Sequence, residues 1–107
     1  MKAHYLPSLA LLTAMLVPVS GFAAGDAAAG KTKAFTCMGC HGIPNYNNVY
    51  PTYHVPKLGE QHAEYIVAAL QAYKNGQRSH ATMRAQASTL SDQDMQDIAA
   101  FFAQGGQ

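Results

Sequence analysis

The chain has 107 residues, of which 49% are hydrophobic and 12% charged, and its formal net charge at pH 7 is +1. This length suffices for one small domain and is too short for a second core of ordinary size. The near balance of basic and acidic residues gives no support for nucleic-acid binding, which normally requires a basic surface.

The first two dozen residues have the composition of a secretory signal peptide. Lys2 gives a positive start, residues 6–19 are mostly apolar, and residues 20–23 are mostly small. A membrane anchor is the alternative, but the apolar run is shorter than the roughly 20 residues that a span needs, and prolines interrupt it. We predict removal of residues 1–24 and export to the periplasm, which leaves one domain at residues 25–107 with six basic and six acidic residues.

Residues 27–36 are predicted to form the first helix, which runs into Cys37. Asp26 can cap this helix because its carboxylate accepts hydrogen bonds from the free amides at a helix start. Alanine, which is abundant here, has the highest helix propensity. We expect Phe35 to lie in the core against a partner helix.

Positions 37–41 read Cys-Met-Gly-Cys-His, a pattern typical of covalent haem attachment. Each thiol of such a motif adds to one haem vinyl group, and the adjoining imidazole reaches the iron from one face. A disulfide, a redox-active dithiol and a zinc site are the alternatives. They are less favoured because the flanking sequence lacks a strand pattern and the other histidines are scattered. We predict one covalently attached haem c, bound through Cys37 and Cys40, with His41 as an iron ligand.

Residues 43–56 hold three prolines, three asparagines and no helical period, which predicts a loop. A metal-bound histidine normally donates its second ring proton to a carbonyl or carboxylate group. The Pro51 carbonyl is the predicted acceptor for His41. The three tyrosines of the loop are expected either to line the haem edge or to be half-buried surface residues: Tyr46, Tyr50 and Tyr53.

Residues 60–75 are predicted to form the next helix. Ile66, Leu70 and Tyr73 mark one face at helical spacing, and Gly76 is a stop signal just past the end.

Residues 77–90 have weak periodicity and are predicted to be irregular. A last helix is predicted to start at Ser91, which can cap it, and to present Met95, Ile98 and Phe102 on its apolar face. The sequence therefore predicts an all-α domain, a small fold of three main helices with loops wrapped around one haem.

The far face of the iron needs a second ligand or stays open to small molecules. Met83 is favoured because it lies in the irregular segment, well separated from His41, where its sulfur can swing over the ring. His80 and an open site are the alternatives, although an exposed loop histidine is the simpler interpretation of His80. The other candidates have simpler roles, in the attachment motif, in the core or on the surface: Met38, Met95, His54 and His62.

The chain resembles the class I bacterial cytochromes c and is most similar to the cytochrome c4/c5/c553 group, in particular to one haem domain of cytochrome c4. The resemblance implies that Met83, seven positions before Leu90, is the axial ligand opposite His41. It also implies that Leu58 packs on the ring, that Phe35 lies near Phe101 or Phe102, and that Arg78 approaches a propionate. The matching segments are residues 37–42, Pro56-Lys57-Leu58 with Gln61, residues 65–73, Gly76-Gln77-Arg78, His80, Thr82-Met83, and residues 90–94 leading into residues 98–102.

By the same resemblance, the protein is expected to be a mono-haem one-electron carrier of the periplasm and not an enzyme, with no small-molecule substrate. Its expected partners are periplasmic redox proteins such as a membrane-bound cytochrome complex or a terminal oxidase or reductase. The alternative function is a haem-bearing subunit or dedicated partner of a periplasmic dehydrogenase or reductase. A haem enzyme or gas sensor would need a vacant distal site.

Overall fold

A computed structural model describes residues 24–107, and the predicted signal peptide at residues 1–24 lies outside the described residues except for Ala24. The described part is all-α, as predicted, with one minimal hairpin. No helix in this part is both long and apolar enough to cross a membrane. The elements are α1 Ala27–Lys33, α2 Phe35–His41, β1 Asn47–Asn48, β2 Tyr53–His54, α3 Ala63–Lys74, α4 Ala81–Ser88 and α5 Asp92–Ala103.

The predicted first helix is split in two. The Asp26 carboxylate accepts hydrogen bonds from the amides of Ala28 and Ala29, which confirms the predicted cap. The backbone then leaves helical geometry at Ala34, where ψ is 4°, and α2 starts at the next residue. The haem-attachment motif is therefore itself helical.

Helices α1 and α5 cross at small residues. A Cβ atom on Gly30 would lie 1.9 Å from the carbonyl oxygen of Asp97, so only glycine permits this approach. Ala34 is fully buried at the end of the crossing, whereas Phe35 is 81% exposed. The expectation that Phe35 packs in the core near Phe101 or Phe102 was wrong, because the break at Ala34 turns the next side chain outward.

The core lies between α3 and α5, with α1 packed across it. Ile66, Val67 and Leu70 of α3 are buried against α5. Met95 is fully buried, as expected of a core residue. Ser91 and Asp94 form a reciprocal capping box at the start of α5, which confirms the predicted helix start.

Helix α3 starts later than predicted. Glu60 has a φ of 68°, and its amide donates to the carbonyl of Phe102 at 2.8 Å, so the chain is still turning there. His62 is the N-cap residue. The helix ends at Lys74, and Gly76, with a φ of 78°, provides the predicted stop.

The prediction of an irregular segment at residues 77–90 was wrong, because residues 81–88 form α4. Ala87 is the only buried residue of this helix, so the sequence has no apolar stripe to reveal it. Within the predicted loop, β1 and β2 pair antiparallel, with Asn47 opposite His54 and Asn48 opposite Tyr53.

Candidate haem site

The two cysteines lie three residues apart on α2, and residues at this spacing share one face of a helix. Both thiols are free and half-buried, so neither is used in a disulfide. Burial raises the pKa of the Cys37 thiol above its usual range. The helix as a whole buries none of its residues fully. Cys37 and Cys40 are therefore available for a covalent partner that would cover this side of α2.

His41 is the last residue of α2, and its ring orientation is defined by two contacts. Its Nδ1 lies 2.8 Å from the carbonyl oxygen of Pro56, which makes Nδ1 the donor. Its ring packs edge-on against Phe102 with the centroids 6.5 Å apart. The hydrogen bond fixes the tautomer and leaves the Nε2 lone pair free to bind a metal.

The prediction that the Pro51 carbonyl accepts the hydrogen bond from His41 was wrong. The carbonyl of Pro51 accepts a hydrogen bond from the Asn48 side-chain amide at 2.7 Å, within the turn of the hairpin. Pro56 instead follows the second strand and is the residue that reaches α2. The principle that a backbone carbonyl of this loop orients the histidine was correct, and only the residue differs.

Met83 is the third residue of α4, half-buried at the edge of the core cluster. Its amide donates to Nδ1 of His80, the N-cap residue, at 3.3 Å. Helix α4 also contacts the attachment helix, since the Thr36 hydroxyl lies 3.1 Å from Oε1 of Gln86. One exposed side-chain hydrogen bond therefore joins the methionine-bearing helix to the helix that carries both cysteines.

The remaining histidines have other positions. His54 and His62 are exposed, as predicted. His80 is half-buried and caps a helix, so the expectation of an exposed loop histidine was wrong. In the described part of the chain, no three side chains of the His, Cys, Asp and Glu types converge on a common metal position.

The aromatic and basic residues expected near the haem differ in their exposure and in their contacts. Tyr50 is 93% exposed, while Tyr53 packs against the ring of His80. The guanidinium of Arg78 stacks 4.7 Å above the ring of Tyr73. Leu58, expected to pack on the haem, is half-buried against the core cluster.

These residues fit a covalent haem. Two free thiols on one helical face could attach to the two haem vinyl groups, and the imidazole of His41 and the half-buried thioether of Met83 are donors that suit a haem c iron. These four side chains are the ones that the sequence predicts for the site, whereas the sequence did not indicate Pro56 or the capping role of His80. A backbone acceptor has no sequence signal, and histidine is not a preferred N-cap residue.

Comparison with known proteins gives a consistent result. The sequence model of the cytochrome c family matches residues 27–105. Cytochrome c4 of Pseudomonas aeruginosa is 44% identical over 81 residues, which cover 76% of this chain and 39% of that protein. Cytochrome c-554(548) of Halomonas halodenitrificans is 43% identical over 83 residues, which cover 75% of this chain and 96% of that protein. Cytochrome c4 of Azotobacter vinelandii is 38% identical over 105 residues, and the chain spans 49% of its length. The chain thus spans less than half the length of these cytochromes c4.

Proposed function

The chain belongs to the cytochrome c family and carries a covalently bound haem c with its iron. We propose that it is a single-haem one-electron carrier of the periplasm. When bound, the haem supplies a ferric–ferrous couple that accepts and releases one electron. The protein supplies attachment, axial ligands and a contact surface for redox partners. We also propose that the iron binds no substrate and that the protein catalyses no reaction.

In this proposal Cys37 and Cys40 form the two thioether bonds and His41 is the first axial ligand. The observation that carries it is the hydrogen bond from His41 Nδ1 to the Pro56 carbonyl at 2.8 Å. This bond directs Nε2 away from the loop and increases the basicity of the imidazole. An unsupported surface histidine would have no such constraint.

Met83 is proposed as the second axial ligand. Its place on α4, which is linked to α2 by the hydrogen bond of Thr36 to Gln86, supports this assignment. A thioether sulfur is a weak donor that favours reduced iron, so this ligation raises the reduction potential relative to a bis-histidine site. Such a potential suits exchange with periplasmic redox proteins, for example a membrane-bound cytochrome complex or a terminal oxidase or reductase.

A second candidate function is a haem-bearing subunit or dedicated partner of a periplasmic dehydrogenase or reductase. One observation supports this second function. The segment that matches this chain makes up 39% of the Pseudomonas aeruginosa cytochrome c4, so a similar domain also occurs as part of a longer protein. Stable co-purification of this chain with a catalytic chain supports the subunit. A chain isolated alone that exchanges electrons with several partners supports the free carrier.

The experiment that tests the ligation is Met83→Ala. We expect loss of the sulfur-to-iron charge-transfer absorption in the near infrared, a lower reduction potential and binding of carbon monoxide to the reduced protein. Met38→Leu is the matched control, because Met38 lies inside the attachment motif, and this variant should keep the absorption. An unchanged spectrum in Met83→Ala contradicts the proposed ligation.

A further inference from the structure

We propose that His80 is a positioning residue that holds Met83 in place for the iron, an inference that rests on the proposed function. It assigns His80 a role other than that of an alternative ligand. The proposal stands on three observations: the cap that His80 provides for α4, the aromatic contacts that hold its ring, and a backbone segment that supports both proposed axial ligands.

The first observation is the cap. His80 has the extended conformation of an N-cap residue, with φ −164° and ψ 111°, and its Nδ1 accepts the amide hydrogen of Met83. The amides of the first helical turn have no partner within the helix, so this bond fixes the backbone of Met83 itself. Because Nδ1 is the acceptor, the ring carries its proton on Nε2.

The second observation explains how an imidazole can serve as a cap. Histidine is not among the residues preferred at this position, which use short, rigid side chains. Here the His80 ring is held nearly perpendicular to two tyrosine rings, with centroid distances of 4.6 Å to Tyr53 and 6.5 Å to Tyr73. These contacts restrict the rotation of the ring and keep Nδ1 directed at the helix. The Tyr53 hydroxyl also lies 3.5 Å from the Thr82 hydroxyl, next to Met83.

The third observation is the shared backbone segment at residues 53–56. Tyr53 at its start contacts His80, and the carbonyl of Pro56 at its end accepts the hydrogen bond of His41. Between them, Val55 is buried, and its amide donates to the carbonyl of Tyr46 at 2.9 Å. One anchored segment therefore supports His41 directly and supports Met83 through His80.

The test compares His80→Ala, His80→Asn and His62→Ala in the haem-loaded protein. Two readouts are used, the near-infrared charge-transfer absorption and the hydrogen exchange rate of the Met83 amide measured by NMR. We expect His80→Ala to weaken the absorption and to speed exchange of this amide about fivefold, as loss of an N-cap implies. His80→Asn should restore most of both, since asparagine is a preferred N-cap residue.

His62→Ala is the matched control. His62 occupies the same N-cap position on α3, but its side chain makes no capping hydrogen bond. We expect both readouts to stay at their wild-type values in this variant.

The outcomes separate the two proposals. If Met83→Ala abolishes the absorption while His80→Ala leaves the absorption and the Met83 exchange rate unchanged, the positioning role is wrong and the ligand assignment stands. If Met83→Ala retains the absorption, the proposed ligation itself is wrong. If His62→Ala reproduces the loss seen in His80→Ala, the effect is not specific to the cap and the positioning role is overturned.

Discussion

At the scale of single residues, Asp97 is the one charged side chain that is buried in the described part of the chain. Its carboxylate accepts hydrogen bonds from Nζ of Lys33 at 2.6 Å, from the Asp26 amide at 2.8 Å and from the Gln93 side chain at 2.8 Å. The bond from Lys33, supported by the other two, lowers the pKa of Asp97 to about 2. Lys33 also pairs with Asp94 and is the main reason that the pKa of this second carboxylate lies well below its usual value.

This network predicts an acid-sensitive contribution to stability. In the unfolded chain an aspartate has a pKa of 3.8, so the unfolded chain binds the proton before the folded protein does. The contribution of Asp97 is therefore complete above about pH 4 and is lost as the pH falls towards about 2. We expect Asp97→Asn to be less stable than the wild type at pH 5, by a difference that shrinks as the pH approaches 2.

Chemical denaturation followed by circular dichroism at several pH values measures this difference. Asp92→Asn serves as the control, since Asp92 is an exposed acid in the first turn of the same helix. A gap between wild type and Asp97→Asn that stays constant from pH 5 to pH 2.5 would contradict the predicted linkage.

The residues of the proposed haem site differ in how well a sequence can indicate them. Cys37, Cys40 and His41 can be proposed from the sequence because they lie within five consecutive positions and form a pattern typical of haem attachment. The Pro56 carbonyl cannot, because every residue has a carbonyl group and only the fold selects one of them. For Phe35 the sequence contained a clear signal that was wrong. Its apolar side chain was expected in the core, but it faces solvent because the helix breaks one residue earlier.

At the scale of secondary structure, the crossing of α1 and α5 depends on the absence of a side chain. A Cβ atom at Gly30 would meet backbone atoms of Asp97 and come 3.0 Å from the Cβ of Phe101. Backbone atoms within a helix cannot move aside as a flexible side chain can. The two helices would therefore have to separate, and this would disturb the packing of Ala34, the buried residue that follows α1.

Gly30→Ala is accordingly expected to destabilise the protein. Overpacking costs roughly 1–3 kcal/mol, and the contact with backbone atoms puts this site at the upper end of that range. The better helix propensity of alanine returns about 0.5–1 kcal/mol, so we expect a net loss of about 2 kcal/mol. Thermal or chemical unfolding of the holoprotein measures it. Ala28→Ser, at an exposed position of the same helix, should change the stability by no more than about 0.5 kcal/mol. Equal effects of the two substitutions would argue against a crossing that requires glycine.

The helices that bury an apolar face could be predicted from the sequence, and the helix that buries almost none could not. Helix α5 has both a capping box and an apolar face, and its start was predicted correctly from Ser91. Helix α4 buries only Ala87, so no periodic signal marks it, and its cap is a histidine that propensity does not favour. Met83 was still identified as a ligand candidate, from its separation from His41 and from the family resemblance, although its surroundings were predicted to be irregular.

At the scale of the whole molecule, the core and the site occupy different helices. Helices α3 and α5 contribute most of the buried side chains, and α1 packs on α5. Helix α2 buries no residue and α4 buries one, yet these two helices carry the cysteines and Met83. Small domains often need a covalent or metal staple in addition to their core. In this fold the haem would provide that staple for the two helices with the least core of their own.

Replacing both cysteines, Cys37→Ser with Cys40→Ser, tests this division of the molecule. We expect acid acetone to extract all pigment, because no thioether remains, and the far-ultraviolet circular dichroism to show a large loss of helix. Thr36→Ser, which keeps the hydroxyl that contacts Gln86, is the control and should retain both the pigment and the helix content. The loss should be greatest in α2 and α4, which hydrogen exchange can measure against the amides of α5. A double variant that keeps its pigment through extraction, or that protects α2 and α4 as well as the wild type does, would show that these helices are stable without covalent attachment.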